Sequence, residues 1–149
     1  MVYLSQRDGR WAEKTLGASK LTIGRYGCTT TCISMLSDFF GKFQDPAKIA
    51  AHREFYTPDG LVQWPKLAIP GMKFVWRGTG RNDSYIREAI NDKNGAIILQ
   101  VNFGQHWIVA VRKMWLSNDY ICIDPWTGKT CAAIGDYKNI TGFAHFKKA

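Results

Sequence analysis

The sequence predicts an α+β domain in which helices come first and an antiparallel sheet follows. Two observations carry this. In the first half, apolar residues recur at helical spacing behind recognisable helix starts. From Gly95 onward the spacing gives way to short β-branched and aromatic runs, separated by Gly or by Ser117-Asn118-Asp119. Length supplies the third: 149 residues suit one domain, over residues 1–149, with a sizeable core.

The elements follow in order. Residues 1–27 are rich in Gly, Ser and Thr and read as irregular structure. Next, Cys32, Met35, Leu36, Phe39 and Phe40 share one face of an amphipathic helix, with Gly41 as its stop. Asp45 as N-cap and Pro46 at the first helical position open another helix. Residues 58–68 read as a short helix interrupted at Pro65, and residues 72–78 as a strand. Ile86 and Ile90, four apart, mark a helix capped by Gly95. Strands are then expected over 96–103, 106–114 and 120–126, with 142–146 as an edge strand and one helix packed on the sheet.

An apolar fraction of 46% and six tryptophans describe a folded chain without low-complexity segments or internal repeats. The N-terminus lacks the basic and apolar regions of a secretory signal, and no run approaches the ~18 apolar residues of a membrane span. The expectation is a soluble chain, cytoplasmic as synthesised. Its four cysteines then read as free thiols. The net charge of +8 is scattered and forms no basic block, so it fits an anionic environment or partner, such as an anionic cell wall. Nucleic acid is not the expected partner.

Three residues stand out chemically. Cys28 follows Gly27 where a loop turns into a helix, and a helix N-terminus favours thiolate. His106 begins a strand, with Ile108 and Ala110 on its face. Asp124 ends the neighbouring strand before a turn at Pro125, which brings it to the same sheet edge as His106. Direct pairing of 106 with 124 centres the hairpin near Trp115, ahead of the Ser117-Asn118-Asp119 turn, so a bulge or asymmetric loop is required. Each residue has a purely structural reading: a buried thiol, an interior imidazole, an aspartate starting a turn. Together they match an activated thiol, its base and the group that orients the base.

The blocks "YLSQRDGRWAEKTLGASKLTIGRYGCTTTCISM", "GQHWIVAV" and "DPWTG" resemble the bacteriocin-processing (double-glycine) peptidase-like branch of the papain-like cysteine peptidases. The resemblance runs from Tyr3 to about Gly128 and is weakest in the middle helices. It implies a papain-like fold, with the nucleophile helix on a C-terminal antiparallel sheet. It also implies peptide-bond hydrolysis through a thioester, with Cys28 as nucleophile, His106 as base and Asp124 as orienting group. Gln6 matches the family's oxyanion-hole glutamine; its side-chain NH₂ donates without ionising, beside the backbone N–H of Cys28.

No cofactor or metal is implied, and the expected substrate is a peptide or protein. Alternatives are a peptidoglycan-degrading lysin on the same triad, released to the wall if of phage origin, and a catalytically inactive binding module. Acyl transfer to an amine is a further option. A zinc module built on Cys28, Cys32, Cys122 and Cys131 is disfavoured, because eight residues separate the second pair. Cys32 is expected to be buried on its helix and Cys122 in the sheet near the core. His52 and His145 are expected to be dispensable for activity.

Overall fold

The computed structural model describes all residues, Met1–Ala149. Its helices are α1 (Ile23–Tyr26), α2 (Cys28–Phe39), α3 (Pro46–Ala50), α4 (Asp83–Asn91) and α5 (Ala133–Tyr137). Its strands are β1 (Met72–Thr79), β2 (Gly95–Val101), β3 (His106–Lys113), β4 (Tyr120–Asp124), β5 (Lys129–Ala132) and β6 (Ile140–Lys148). They form one sheet in the order β1-β6-β2-β3-β4-β5, antiparallel at every pairing. Helices therefore precede an antiparallel sheet, as the α+β reading requires.

Strand alternation sends side chains to both faces, and both are covered. On one face Cys32, Ile33, Met35 and Leu36 of α2 pack with Ile98, Trp107, Val109 and Phe146. On the other, Ile86 and Ala89 of α4 and Ala133 of α5 pack with Ile97, Leu99, Ile108 and Ala110. The expectation of a single helix on the sheet is thus corrected. The nearly continuous apolar run of β2 is the physical reason, since a strand buried on both sides cannot alternate with polar residues.

Other expectations shift too. The 142–146 segment is not an edge strand: β6 lies between β1 and β2, with Phe143, Ala144 and Phe146 buried. Helix α4 ends at Asn91 with Asp92 as C-cap, and Gly95 opens β2 instead of capping the helix. Pro65 sits within a single 3₁₀ turn, Trp64–Lys66. The start of α3 is as read: the Asp45 side chain accepts from the Lys48 N–H at 2.8 Å, with Pro46 first in the helix. Residues 23–26 form a helical turn where irregular structure was expected, and β5 and α5 lie where no element was predicted.

The junction of α1 and α2 sets the position of Cys28. The Gly27 N–H closes α1 on the Ile23 carbonyl at 2.8 Å, and the Thr31 N–H opens α2 on the Gly27 carbonyl at 2.9 Å. A Cβ on residue 27 would meet the Ile23 carbonyl oxygen at 2.6 Å and its Cγ2 at 2.7 Å, so only glycine fits there. We expect Gly27→Ala to destabilise the fold by roughly 1–3 kcal/mol, the usual cost of overpacking. A shifted urea midpoint checks this, and an unchanged midpoint would show that the junction yields.

Candidate active site

Residues from five segments meet at one end of the sheet. Cys28, half-buried, is the first residue of α2. Its N–H belongs to the helix's first turn, which no side chain of Gly27 can cap. His106 is the first residue of β3 and follows a tight turn in which Asn102, Phe103 and Gly104 all have left-handed backbone. The Phe103 N–H donates to the Asn139 side chain at 2.9 Å, which holds this unfavourable geometry.

The pairing of His106 with Asp124 is diagonal, not direct. Val109 faces Ile123 and Ala110 faces Cys122; Arg112 then faces Ile121, which leaves Val111 as a bulge. Continued toward the site, that register sets Ile108 opposite Asp124 and His106 two residues further on, on the same face. A bulge is present, but the register is not the directly opposed one to which the sequence reading tied it. The imidazole spans the diagonal: its Nε2 donates to Asp124 Oδ1 at 2.8 Å, leaving Nδ1 free of the carboxylate.

Asp124 is 7% exposed at its side chain, and three donors satisfy it. Oδ1 accepts from His106 and from the Trp126 N–H at 2.9 Å, and Oδ2 accepts from the Tyr137 hydroxyl. The Tyr137 ring also lies 4.9 Å from the His106 ring, so it packs against the imidazole that its hydroxyl indirectly orients. Tyr137 was not among the residues singled out from the sequence. It ends a five-residue helix, too short for any period to show, within a polar stretch.

Gln6 is 1% exposed and reaches the site because its backbone is pinned to the turn after β4. The Gln6 N–H donates to the Pro125 carbonyl at 2.6 Å, and Ser5 Oγ and Arg7 Nε donate to the Trp126 carbonyl at 3.0 and 2.9 Å. Gly128, at φ +72°, lets this turn approach the backbone of Leu4 and Ser5. The Gln6 side-chain NH₂ faces the carbonyls of Ile23 and Gly24 at 3.4 and 3.3 Å, while Oε1 is buried without a protein partner. Reversing the amide would set Oε1 against two carbonyl oxygens, so the NH₂ must face the α1–α2 junction.

Gln6, Cys28, His106, Trp126 and Tyr137 all line one open cavity of about 410 Å³, with Arg25 on its wall. Burial alone would lower the His106 pKa. The hydrogen bond with Asp124, the nearby Cys28 thiol and the charges of both outweigh it and raise the value to about 9. Asp124 shows the mirror case: burial raises its pKa, and the donors His106, Tyr137 and the Trp126 N–H bring it below the ordinary carboxylate value. The structure thus brings together all four residues singled out from the sequence.

The remaining thiols and imidazoles lie elsewhere. Cys32 is fully buried on α2, with its Sγ 3.5 Å from the Trp107 carbonyl, and Cys122 is fully buried in β4. Burial raises both thiols well above their ordinary pKa, and that of Cys131 to about 12. Cys122 and Cys131 face each other across β4 and β5, apart from the α2 pair, and nowhere do three His, Cys, Asp or Glu side chains converge as metal ligands. His52 is exposed and stacks on Phe55, while His145 is buried in β6 and its Nδ1 shares a hydrogen bond with the Tyr85 hydroxyl.

A raised folded pKa means that His106 contributes proton-linked stability in full below its ordinary value of 6.5, and that this is lost as pH rises through about 9. The thermal midpoint of the wild type should therefore fall across that window relative to His106→Gln, which cannot titrate there. Parallel midpoints of the two proteins from neutral to alkaline pH would contradict the assignment.

No protein-family model matches this chain, and no curated protein matches it.

Proposed function

We propose that this chain is a cysteine peptidase of papain-like fold that hydrolyses peptide bonds through a Cys28–His106–Asp124 triad. The observation that carries the reading is the convergence, in one open cavity, of a helix-start thiol and an imidazole held by a buried carboxylate, with Gln6 beside them. The resemblance of the sequence to the bacteriocin-processing branch of papain-like peptidases supports the same assignment.

In this mechanism His106, protonated at neutral pH because its pKa is raised to about 9, holds the Cys28 thiolate as its Sγ attacks the scissile carbonyl carbon. The oxyanion that develops is met by the Cys28 N–H and by the Gln6 NH₂, which exchanges one of its long bonds to the Ile23 and Gly24 carbonyls for the oxyanion. His106 then passes its proton to the departing amine, and the C–N bond breaks to leave a thioester. Water, deprotonated by the same imidazole, attacks the thioester and regenerates the thiol. Throughout, Asp124 holds the Nε2–H tautomer and balances the imidazolium charge, and Tyr137 and the Trp126 N–H keep the carboxylate in place.

A second reading on the same triad is cleavage of peptide cross-links in peptidoglycan. The net charge of +8 favours it, as do Arg25 on the cavity wall and Arg7, whose guanidinium lies 4.4 Å over the Trp126 ring at the rim.

A panel of peptidoglycan sacculi, casein and a double-glycine peptide, each with wild type and Cys28→Ala, tests both readings. Cys28→Ala should abolish turnover, His106→Ala should be nearly as severe, and Asp124→Asn milder. Gln6→Ala should slow turnover by about 10²–10³-fold while leaving Cys28 open to iodoacetamide, because alkylation builds no oxyanion. A folded wild-type protein whose Cys28 is alkylated no faster than the buried thiols would make the chain a binding module.

A further inference from the structure

The sheet end remote from the cavity combines cations and exposed apolar side chains in a way that the fold does not need. Strand register gathers Lys73, Lys93, Arg112, Lys113, Lys147 and Lys148 there: β1 begins where β6 ends, β2 begins beside Lys147, and β3 ends at Lys113. Lys73 stands directly opposite Lys147, a like-charge cross-strand pair that works against stability. Lys147 pairs only loosely with Asp92, at 3.6 Å.

The same end carries an apolar groove lined by Met1, Phe39, Ile90 and Val111. Beyond it projects the β3–β4 hairpin tip. There Trp115 and Leu116, at 87% and 85% exposure, are the two most exposed large apolar residues of the chain. The tip is built and held. Leu116 has a left-handed backbone at φ +58°, and Lys113 Nζ donates to the carbonyls of Met114 and Ser117 at 3.2 and 2.6 Å. A strained backbone that presents two apolar side chains to water gains nothing within the molecule.

We propose that this end docks the protein, peripherally, on an anionic lipid bilayer. Trp115 and Leu116 enter the interface between headgroups and acyl chains, and the surrounding cations face the lipid phosphates. A soluble polyanion would be met by the cations alone and leaves the apolar tip unexplained. A second copy of the chain would oppose one cationic face to another, which electrostatics disfavours. Docking in this way keeps the proposed active site usable. His106 begins β3 and the tip follows its other end, so the cavity lies roughly 25 Å away, facing solution.

Co-sedimentation tests this, with vesicles of phosphatidylcholine alone and of phosphatidylcholine with phosphatidylglycerol at two to one. Wild type should pellet with the anionic vesicles and not with the neutral ones. Trp115→Ser/Leu116→Ser and Lys73→Gln/Lys148→Gln should each weaken partitioning by about tenfold or more, given about fivefold per cation near such a surface. Circular dichroism and the rate of Cys28 alkylation, unchanged in both variants, show that the fold is intact. Failure to pellet with anionic vesicles overturns the proposal. Full retention of the tip variant does so too, by reducing the interaction to charge adsorption. Concentration-dependent dimerisation that the tip variant abolishes would assign the face to a second copy instead.

Discussion

A carboxylate taken out of water is the constraint around which this molecule is arranged. Burying Asp124 without partners would cost several kcal/mol, and a partly satisfied group in a low dielectric is worse than an apolar one. Its three donors come from β3, from the turn after β4 and from the end of α5. The adjoining carbonyls of Pro125 and Trp126 tie down the segment Ser5–Arg7. One corner of the sheet therefore fixes four stretches of chain that are distant in sequence. A Tyr137→Phe change would remove a donor from Asp124 while keeping the ring against His106, which makes α5 part of the site's support.

The other half of the site depends on α2, which is less amphipathic than its apolar residues imply. Thr30, Thr31, Ser34 and Ser37 are as buried as Cys32 and Leu36, so the helix is enclosed on nearly all sides. Three of the four find partners, while the Thr31 hydroxyl is buried without one: the Thr30 hydroxyl meets that of Tyr56 at 2.8 Å, and Ser34 and Ser37 donate to the Gln44 carbonyl. Ser37 Oγ in return accepts the Gln44 N–H at 2.8 Å. These bonds lock the loop after α2 against the helix that carries Cys28, and a rigid helix is what the proposed nucleophile needs.

Much of this could be read from the residues because local chemistry and tertiary role agree. The Asp45-Pro46 helix start, the Ile86/Ile90 spacing and the β-branched runs of β2 to β4 specify their elements without outside help. Cys28, His106 and Asp124 were legible because unusual residue types sit at element ends, whereas Gln6 was singled out only through the resemblance of its sequence block. What escaped depends on partners remote in sequence. Gly142–Phe146 reads the same whether β6 is edge or centre, since only the pairing of β1 and β2 on its two sides decides it. Strand β5 and helix α5 are four and five residues long, below the length at which a period is visible. Tyr137 carries no local mark of its role, which exists only once α5 folds back on Asp124.

The bulge at Val111 connects the two ends of the molecule. Near the hairpin tip Lys113 faces Tyr120 and Arg112 faces Ile121. Were that register to run unbroken, Asp124 would stand opposite Val109, whose side chain belongs to the core beneath α2. The carboxylate would then point to the wrong face, away from the imidazole, because a slip of one residue turns a strand over. The extra residue restores the phase: Val109 faces Ile123, and Asp124 shares the face of Ile108 and His106. The displaced Val111 side chain turns outward, 37% exposed, into the apolar groove at the far end. A single inserted residue thus aims Asp124 at His106 and supplies part of the remote apolar surface, so that one irregularity in β3 serves both ends of the strand.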